Sequence, residues 1–93
     1  MIHKILLFNV KEFDKVNVIR EKTMELLAHV PGAQNVSFRE AINEGDLQYH
    51  YLITVDFDSM QAHEQYMAHE KHVEFSKQYF RPYVSDLLIQ FFS

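Results

Sequence analysis

The chain has 93 residues, a formal net charge of −4 with neutral histidines, 47% hydrophobic residues and no cysteine. This length predicts one domain that spans residues 1–93. The lack of cysteine excludes a disulfide framework and thiolate metal ligands, and lysine and arginine form no cluster that could bind nucleic acid. The N-terminal apolar run is too short to cross a membrane, so we expect a cytoplasmic protein that binds neither nucleic acid nor membranes.

The first predicted element is a strand over residues 2–10, a short continuous apolar run that is followed by charged residues. Because side chains alternate across a strand, His3 lies on one face, and Leu6 and Phe8 lie on the other. We expect the His3 face to point towards the helices and the Phe8 face to point away from them.

A helix is predicted from an N-cap at Asp14 to about residue 29, because apolar residues recur every three or four positions until a Pro-Gly pair stops it. Two strands follow, over residues 35–42 and 48–57. The NEGD sequence at residues 43–46 is typical of a turn, so these two strands should form a hairpin.

A second helix is expected to begin at a cap on Asp58 or Ser59, to break near residues 68–70 and to end at Pro82. A last strand over residues 83–92 completes the order β-α-β-β-α-β. This order predicts a ferredoxin-like α+β fold, with a four-stranded antiparallel sheet and helices on one face. The other face would expose too much apolar surface, so we expect a homodimer that packs sheet to sheet into an α/β barrel. The apolar residues assigned to that face are Ile2, Leu6, Phe8, Leu52, Leu88 and Phe92.

Chemically capable side chains are concentrated between residues 66 and 83. His72 could act as a base near neutral pH, and the Tyr66 phenol could donate a hydrogen bond to an enolate that forms beside it. The simpler alternative is a structural histidine at the seam between helix and sheet. His69 and His72 have no third ligand at a useful spacing, so we predict no metal and no other cofactor.

Five motifs follow one another along the chain: IHKILLF at the start, VPG after the first helix, DFDS before the second, then YMAHEKHVEF and finally YVSDLLI. In this order and at these separations, the sequence resembles the stress-responsive dimeric α/β-barrel domain family. Members of that family are single ferredoxin-like domains that pair through their sheets. The resemblance covers essentially the whole chain and implies the same dimeric barrel here.

The best understood activity in this family belongs to plant polyketide cyclases similar to olivetolic acid cyclase. By this resemblance His72 is the base, Tyr66 orients the reacting carbonyl, and His3 and His69 are pocket histidines. Three positions depart from the cyclase pattern. Tyr51 stands where the pattern has a histidine, Thr23 where it has a tyrosine, and Glu70 where it has a proline.

We therefore expect a cavity between the helices and the sheet, with His72 and Tyr66 as the catalytic candidates. The substrate-binding candidates are His3, Tyr51, His69 and Phe75. Three functions remain open at this point: binding of a small hydrophobic or aromatic molecule, cofactor-free cyclase or isomerase chemistry, and a stress-associated structural dimer without catalysis. Monooxygenases of related barrels are a further alternative, but the sequence lacks their fuller pocket signatures.

Overall fold

The computed structural model describes residues 1–42 and 45–93, in which four strands form one antiparallel sheet in the order β2-β3-β1-β4. The elements in chain order are β1 (Ile2–Val10), α1 (Val16–Glu25), β2 (Gln34–Glu40), β3 (Tyr51–Phe57), α2 (Met60–Ala68), α3 (Glu70–Glu74) and β4 (Val84–Phe92). Shorter helical turns are the 3-10 turns Phe13–Lys15 and Leu27–His29 and the π-helical turn Phe75–Phe80. The predicted ferredoxin-like α+β fold is confirmed.

The first helix begins later than predicted, and its cap is different. Asp14 lies inside the 3-10 turn, and α1 starts after Lys15, whose side chain forms no capping hydrogen bond. The prediction of a cap at Asp14 is therefore wrong, because the chain has already turned at this position. At the second helix the prediction is confirmed, since the Ser59 hydroxyl accepts a hydrogen bond from the Ala62 backbone N–H at 3.2 Å.

The predicted hairpin strands are present but shorter. β2 ends at Glu40 instead of residue 42, and β3 begins at Tyr51 instead of residue 48. The two strands pair antiparallel, as a hairpin requires. Asn43 and Glu44 of the predicted turn lie outside the described residues.

The register between β1 and β3 decides which face of β1 meets the helices. Lys4 lies opposite Val55, and Phe8 lies opposite Tyr51, and all four of these side chains are buried. His3 instead lies opposite Asp56 on the other face. The predicted orientation of β1 is thus wrong, because both of its faces are apolar and alternation alone could not choose between them.

The sheet face away from the helices is still rich in apolar side chains. Three residues that were assigned to it, Leu52, Leu88 and Phe92, do belong to it, whereas Ile2, Leu6 and Phe8 face the helices. The register adds two residues of β1 to this outer face, so its apolar members are Ile5, Leu7, Leu52, Leu88 and Phe92. Each of them keeps part of its surface exposed in the single chain.

Candidate functional site

A cavity of about 110 Å³ lies between the sheet and the helices that follow β3. A second pocket of about 130 Å³ adjoins it and shares the residues Met67, His72, Ser76 and Arg81. The side chains that line it include Lys4, Tyr66, Met67, His72, Phe75 and Arg81. We call this space the helix–sheet cavity.

Two interruptions of the helical backbone shape one wall of the cavity. At His69 the chain leaves helical geometry, with ψ at 141°, and α3 starts in a new direction. In the π-helical turn, the Arg81 N–H donates to the Ser76 carbonyl at 2.9 Å, a bond that spans five residues. Ser76 and Arg81 therefore lie on the same side of the turn, and both line the cavity.

Tyr66 and His72 form a close aromatic pair, with ring centroids 4.7 Å apart. The His72 Nδ1 lies 3.1 Å from the Met67 carbonyl oxygen, which can only accept, so Nδ1 carries the proton and Nε2 keeps its lone pair. Burial, with help from the charge of Lys4, lowers the pKa of His72 to about 4. The imidazole is therefore neutral at pH 7.

The phenol of Tyr66 is also held in its neutral form. The residue is only 2% exposed, and burial raises the pKa of its hydroxyl above the ordinary value. A neutral phenol can donate a hydrogen bond to a carbonyl or to an enolate oxygen. The pair thus combines a neutral imidazole acceptor with a neutral phenol donor beside one cavity.

Lys4 is an unexpected member of the site. It is only 4% exposed, and its Nζ lies 3.0 Å from His63 Nε2 and 3.4 Å from Met67 Sδ. Burial lowers the pKa of Lys4 to about 8, and none of the ion pairs among the described residues includes this ammonium. Burial and the charge of Lys4 lower the pKa of His63, so neutral His63 accepts the hydrogen bond that Lys4 donates.

The structure brings together some of the predicted site residues and separates others. Tyr66, His72 and Phe75 line the helix–sheet cavity. His3 does not, because its ring faces the outer side of the sheet, where Nδ1 lies 2.6 Å from the Asp56 carboxylate. The expectation that His3 points towards the helices is therefore wrong.

Tyr51 and His69 also lie outside the described lining of the helix–sheet cavity. Tyr51 packs against Phe8, with ring centroids 5.7 Å apart, further along the sheet. His69 caps α3, because its Nδ1 accepts a hydrogen bond from the Lys71 backbone N–H at 3.1 Å. A substrate-binding role for either residue remains a prediction.

Sequence reasoning missed Lys4, His63 and Arg81. Lys4 shares one face of an apolar strand with Leu6 and Phe8. This is a usable signal, because lysine is rarely buried unless it has a partner. His63 precedes Tyr66 by three residues, which places both on one face of a helix. Arg81 carries no such signal, because its position depends on the π-helical turn.

Two further observations concern metal ions and membranes. In residues 1–42 and 45–93, no three His, Cys, Asp or Glu side chains come close enough together to hold a metal ion. None of the helices that the structure describes is both long enough and apolar enough to cross a membrane.

The fold and the site define a small antiparallel α+β domain with a cavity between its single sheet and its helices. Residues 2–90 match the family model of the stress-responsive A/B barrel domain, so the chain belongs to this family. The resemblance that the sequence motifs indicated is confirmed. No curated protein matches the chain.

Solved structures share this fold at low sequence identity. A family member with a ferredoxin-like fold from Mesorhizobium loti superposes with a TM-score of 0.89 at 19% identity, over 99% of this chain and 94% of that one. A dimeric ferredoxin-like protein from Thermobifida fusca superposes with a TM-score of 0.86 at 21% identity, over 99% of this chain and 89% of that one. A hydroxynitrile lyase from Passiflora edulis superposes with a TM-score of 0.85 at 13% identity, over 98% of this chain and 90% of that one.

Proposed function

We propose that this domain binds a small, largely apolar molecule in the helix–sheet cavity. The observation that carries the proposal is the contact of Tyr66 with His72 at the cavity wall, with ring centroids 4.7 Å apart. The two side chains offer one hydrogen-bond donor and one acceptor next to the apolar side chains Leu27 and Phe75. Binding sites for small molecules commonly combine an apolar lining with a few polar groups in this way.

The size of the cavity limits the ligand. Its volume of about 110 Å³ is below the range of about 300–1,000 Å³ that is usual for drug-sized ligands. An engineered apolar cavity of about 150 Å³ holds benzene. We therefore expect a molecule with about one aromatic ring, and a larger one would have to extend into the adjoining pocket.

Cofactor-free proton transfer is the second candidate, in which His72 would remove a proton beside a carbonyl while Tyr66 donates to the enolate oxygen. The tautomer of His72 favours it, because the Nδ1–H is bonded to the Met67 carbonyl and Nε2 keeps its lone pair. The lowered pKa weakens His72 as a base. A hydroxynitrile lyase of the same fold supports an enzymatic role by analogy alone.

Binding can be tested by a titration with acetophenone, a neutral ketone with one ring, followed by amide NMR. We expect saturable shifts concentrated at Tyr66, His72 and Phe75. Ser76→Leu is the matched control, since it adds apolar volume at a residue of the cavity wall. Shifts that are scattered over the surface, or that persist in Ser76→Leu, would argue for a structural domain without a ligand.

Catalysis can be tested with the same ketone, by following the exchange of its methyl protons for deuterium in heavy water. The wild-type protein should accelerate the exchange, and His72→Gln should remove the acceleration while it still binds acetophenone. If the two proteins behave alike, binding remains and the enzymatic candidate is rejected.

We also propose that two copies of the chain pair through the outer faces of their sheets. The support is the apolar outer face formed by Ile5, Leu7, Leu52, Leu88 and Phe92. A contiguous exposed apolar patch is typical of an interaction surface. The dimeric protein from Thermobifida fusca has the same fold and supports this assembly by likeness.

A further inference from the structure

We infer that the helix–sheet cavity selects a small organic anion, whose carboxylate or enolate oxygen accepts a hydrogen bond from the Lys4 ammonium while its apolar body fills the cavity. This inference names the ligand class and rests on the proposed binding function. Lys4, rather than either predicted catalytic residue, is then the group that distinguishes an anion from its neutral analogue.

The charges around the cavity have one sign. Lys4 and Arg81 line the cavity, and Lys77 lines the adjoining pocket. No Asp or Glu is among the described residues that line either space. The whole chain carries a net charge of −4, so a cavity without a carboxylate is not a reflection of overall composition. A concentration of cations at one cavity favours an anionic ligand.

The Lys4 ammonium has hydrogen-bonding capacity to spare. Of its three N–H donors, one is directed to His63 Nε2 at 3.0 Å and one to Met67 Sδ at 3.4 Å, which leaves a third. Both partners are uncharged, and thioether sulfur is a weak acceptor. A buried cation without a counter-ion is unfavourable, and a bound anion would relieve that cost through a charge-assisted hydrogen bond.

Tyr66 lies next to this ammonium. Lys4 Nζ is 5.5 Å from the centroid of the Tyr66 ring, and both residues line the cavity. The hydroxyl of Tyr66 stays neutral because burial raises its pKa. A neutral phenol can donate a hydrogen bond to an anion, whereas an ionised phenol would repel one. An anion seated at Lys4 would thus lie beside a neutral aromatic ring and not beside a second negative charge.

The test compares benzoate with benzamide, which have nearly the same shape and differ in charge. Dissociation constants are measured by amide NMR titration for the wild type, for Lys4→Met and for Lys71→Met. Lys71 is the matched control, because it is a lysine of α3 outside the described cavity lining. We expect the wild type and Lys71→Met to bind benzoate at least about tenfold more tightly than benzamide, as one charge-assisted hydrogen bond would give.

In Lys4→Met the preference should fall to within about twofold, because benzoate loses a charged partner while the neutral benzamide carbonyl loses at most a weaker hydrogen bond. Lys4→Gln, which keeps a polar side chain, provides a second variant if Lys4→Met does not fold. Equal affinities in the wild type, or a preference that survives in either variant, would overturn the inference and leave the binding function in place. If neither compound shifts the resonances of the cavity, the binding function itself fails.

Discussion

Lys4 occupies a position where the pattern of β1 favours an apolar residue. Its neighbours on the same face, Leu6 and Phe8, are buried core residues. Folding removes the Lys4 ammonium from water without supplying a carboxylate partner among the described residues, and the lowered pKa reflects this burial. Burial of a cation without a counter-ion costs free energy, and the proposed anionic ligand would supply the missing partner.

The first prediction is that Lys4→Met is more stable than the wild type. Methionine has a similar length and no charge to desolvate, so we expect the free energy of unfolding to rise by about 1–3 kcal/mol at pH 7. Urea denaturation followed by circular dichroism measures this change. Lys71→Met should stay within about 0.5 kcal/mol of the wild type. A loss of stability in Lys4→Met would mean that Lys4 is a structural residue.

The second prediction concerns acid pH. The pKa of His72 is about 4 in the folded protein and about 6.5 in an unfolded chain, so the unfolded state binds the proton more readily. The folded state is therefore stabilised by keeping His72 neutral. This stabilisation is fully present above about pH 6.5 and is lost as the pH falls towards 4. His63 acts in the same direction, because its pKa is also lowered.

Thermal unfolding between pH 7.5 and pH 4 checks this dependence. The melting temperature of the wild type should fall as the pH decreases from 6.5, and His72→Gln should show a shallower fall. The pKa of the Asp56 carboxyl lies below its ordinary value, so the stability that Asp56 contributes is lost at a more acid pH. Identical pH profiles for the two proteins would show that His72 is not held neutral by the fold.

The residues of the site also show where prediction from sequence succeeds. The family resemblance already paired Tyr66 with His72. Local spacing alone would not bring them together, because helix neighbours are three or four residues apart and the chain leaves helical geometry at His69, between the two. His3 and Lys4 could not be placed in this way, because their positions depend on which face of β1 meets the helices. That choice follows from the pairing of β1 with β3, a contact between residues some fifty positions apart in the chain.

At the scale of elements, the helical region after β3 is built from three short pieces instead of one long helix. A break near residues 68–70 was predicted, and the chain does leave helical geometry at His69. The π-helical turn Phe75–Phe80 was not predicted, because a one-residue expansion of a helix leaves no periodic signal. This turn places Arg81 at the cavity, so a local backbone irregularity decided part of the site.

The third prediction separates a capping role of His69 from a binding role. His69→Ala removes the acceptor for the Lys71 N–H, and we expect a loss of about 0.5–2 kcal/mol in the free energy of unfolding. His69→Asn supplies another capping side chain and should recover most of it. The affinity for benzoate should not change in either variant, as measured by NMR titration. A selective loss of affinity would return His69 to the binding residues.

At the scale of the whole molecule, the sheet has two different faces. The helix face carries the core and the cavity, and the outer face carries an apolar patch together with the His3–Asp56 pair. The order of elements was sufficient to predict the fold, and the alternation of side chains along the strands predicted an apolar outer face. The list of residues predicted for that face was partly wrong. Because β1 was assigned the opposite orientation, Ile2, Leu6 and Phe8 were placed on the outer face.

The fourth prediction tests the proposed dimer. Leu52→Glu places a charge within the apolar outer face, and we expect the sedimentation mass to fall from that of two chains to that of one. Met24→Glu is the control, since it introduces the same charge at a 45% exposed position of α1. This control should retain the mass of two chains. If Leu52→Glu also does so, the outer face is not the interface.

The central claim is that the helix–sheet cavity is a binding site, and a crystal soaked with 4-bromophenol tests it most directly. This compound is neutral at neutral pH, has one ring and can be located by the anomalous scattering of its bromine. We expect a bromine peak within the space bounded by Tyr66, His72 and Phe75, and no such peak in crystals of Ser76→Leu. Bromine peaks confined to the surface or to the outer sheet face of the wild type would contradict it.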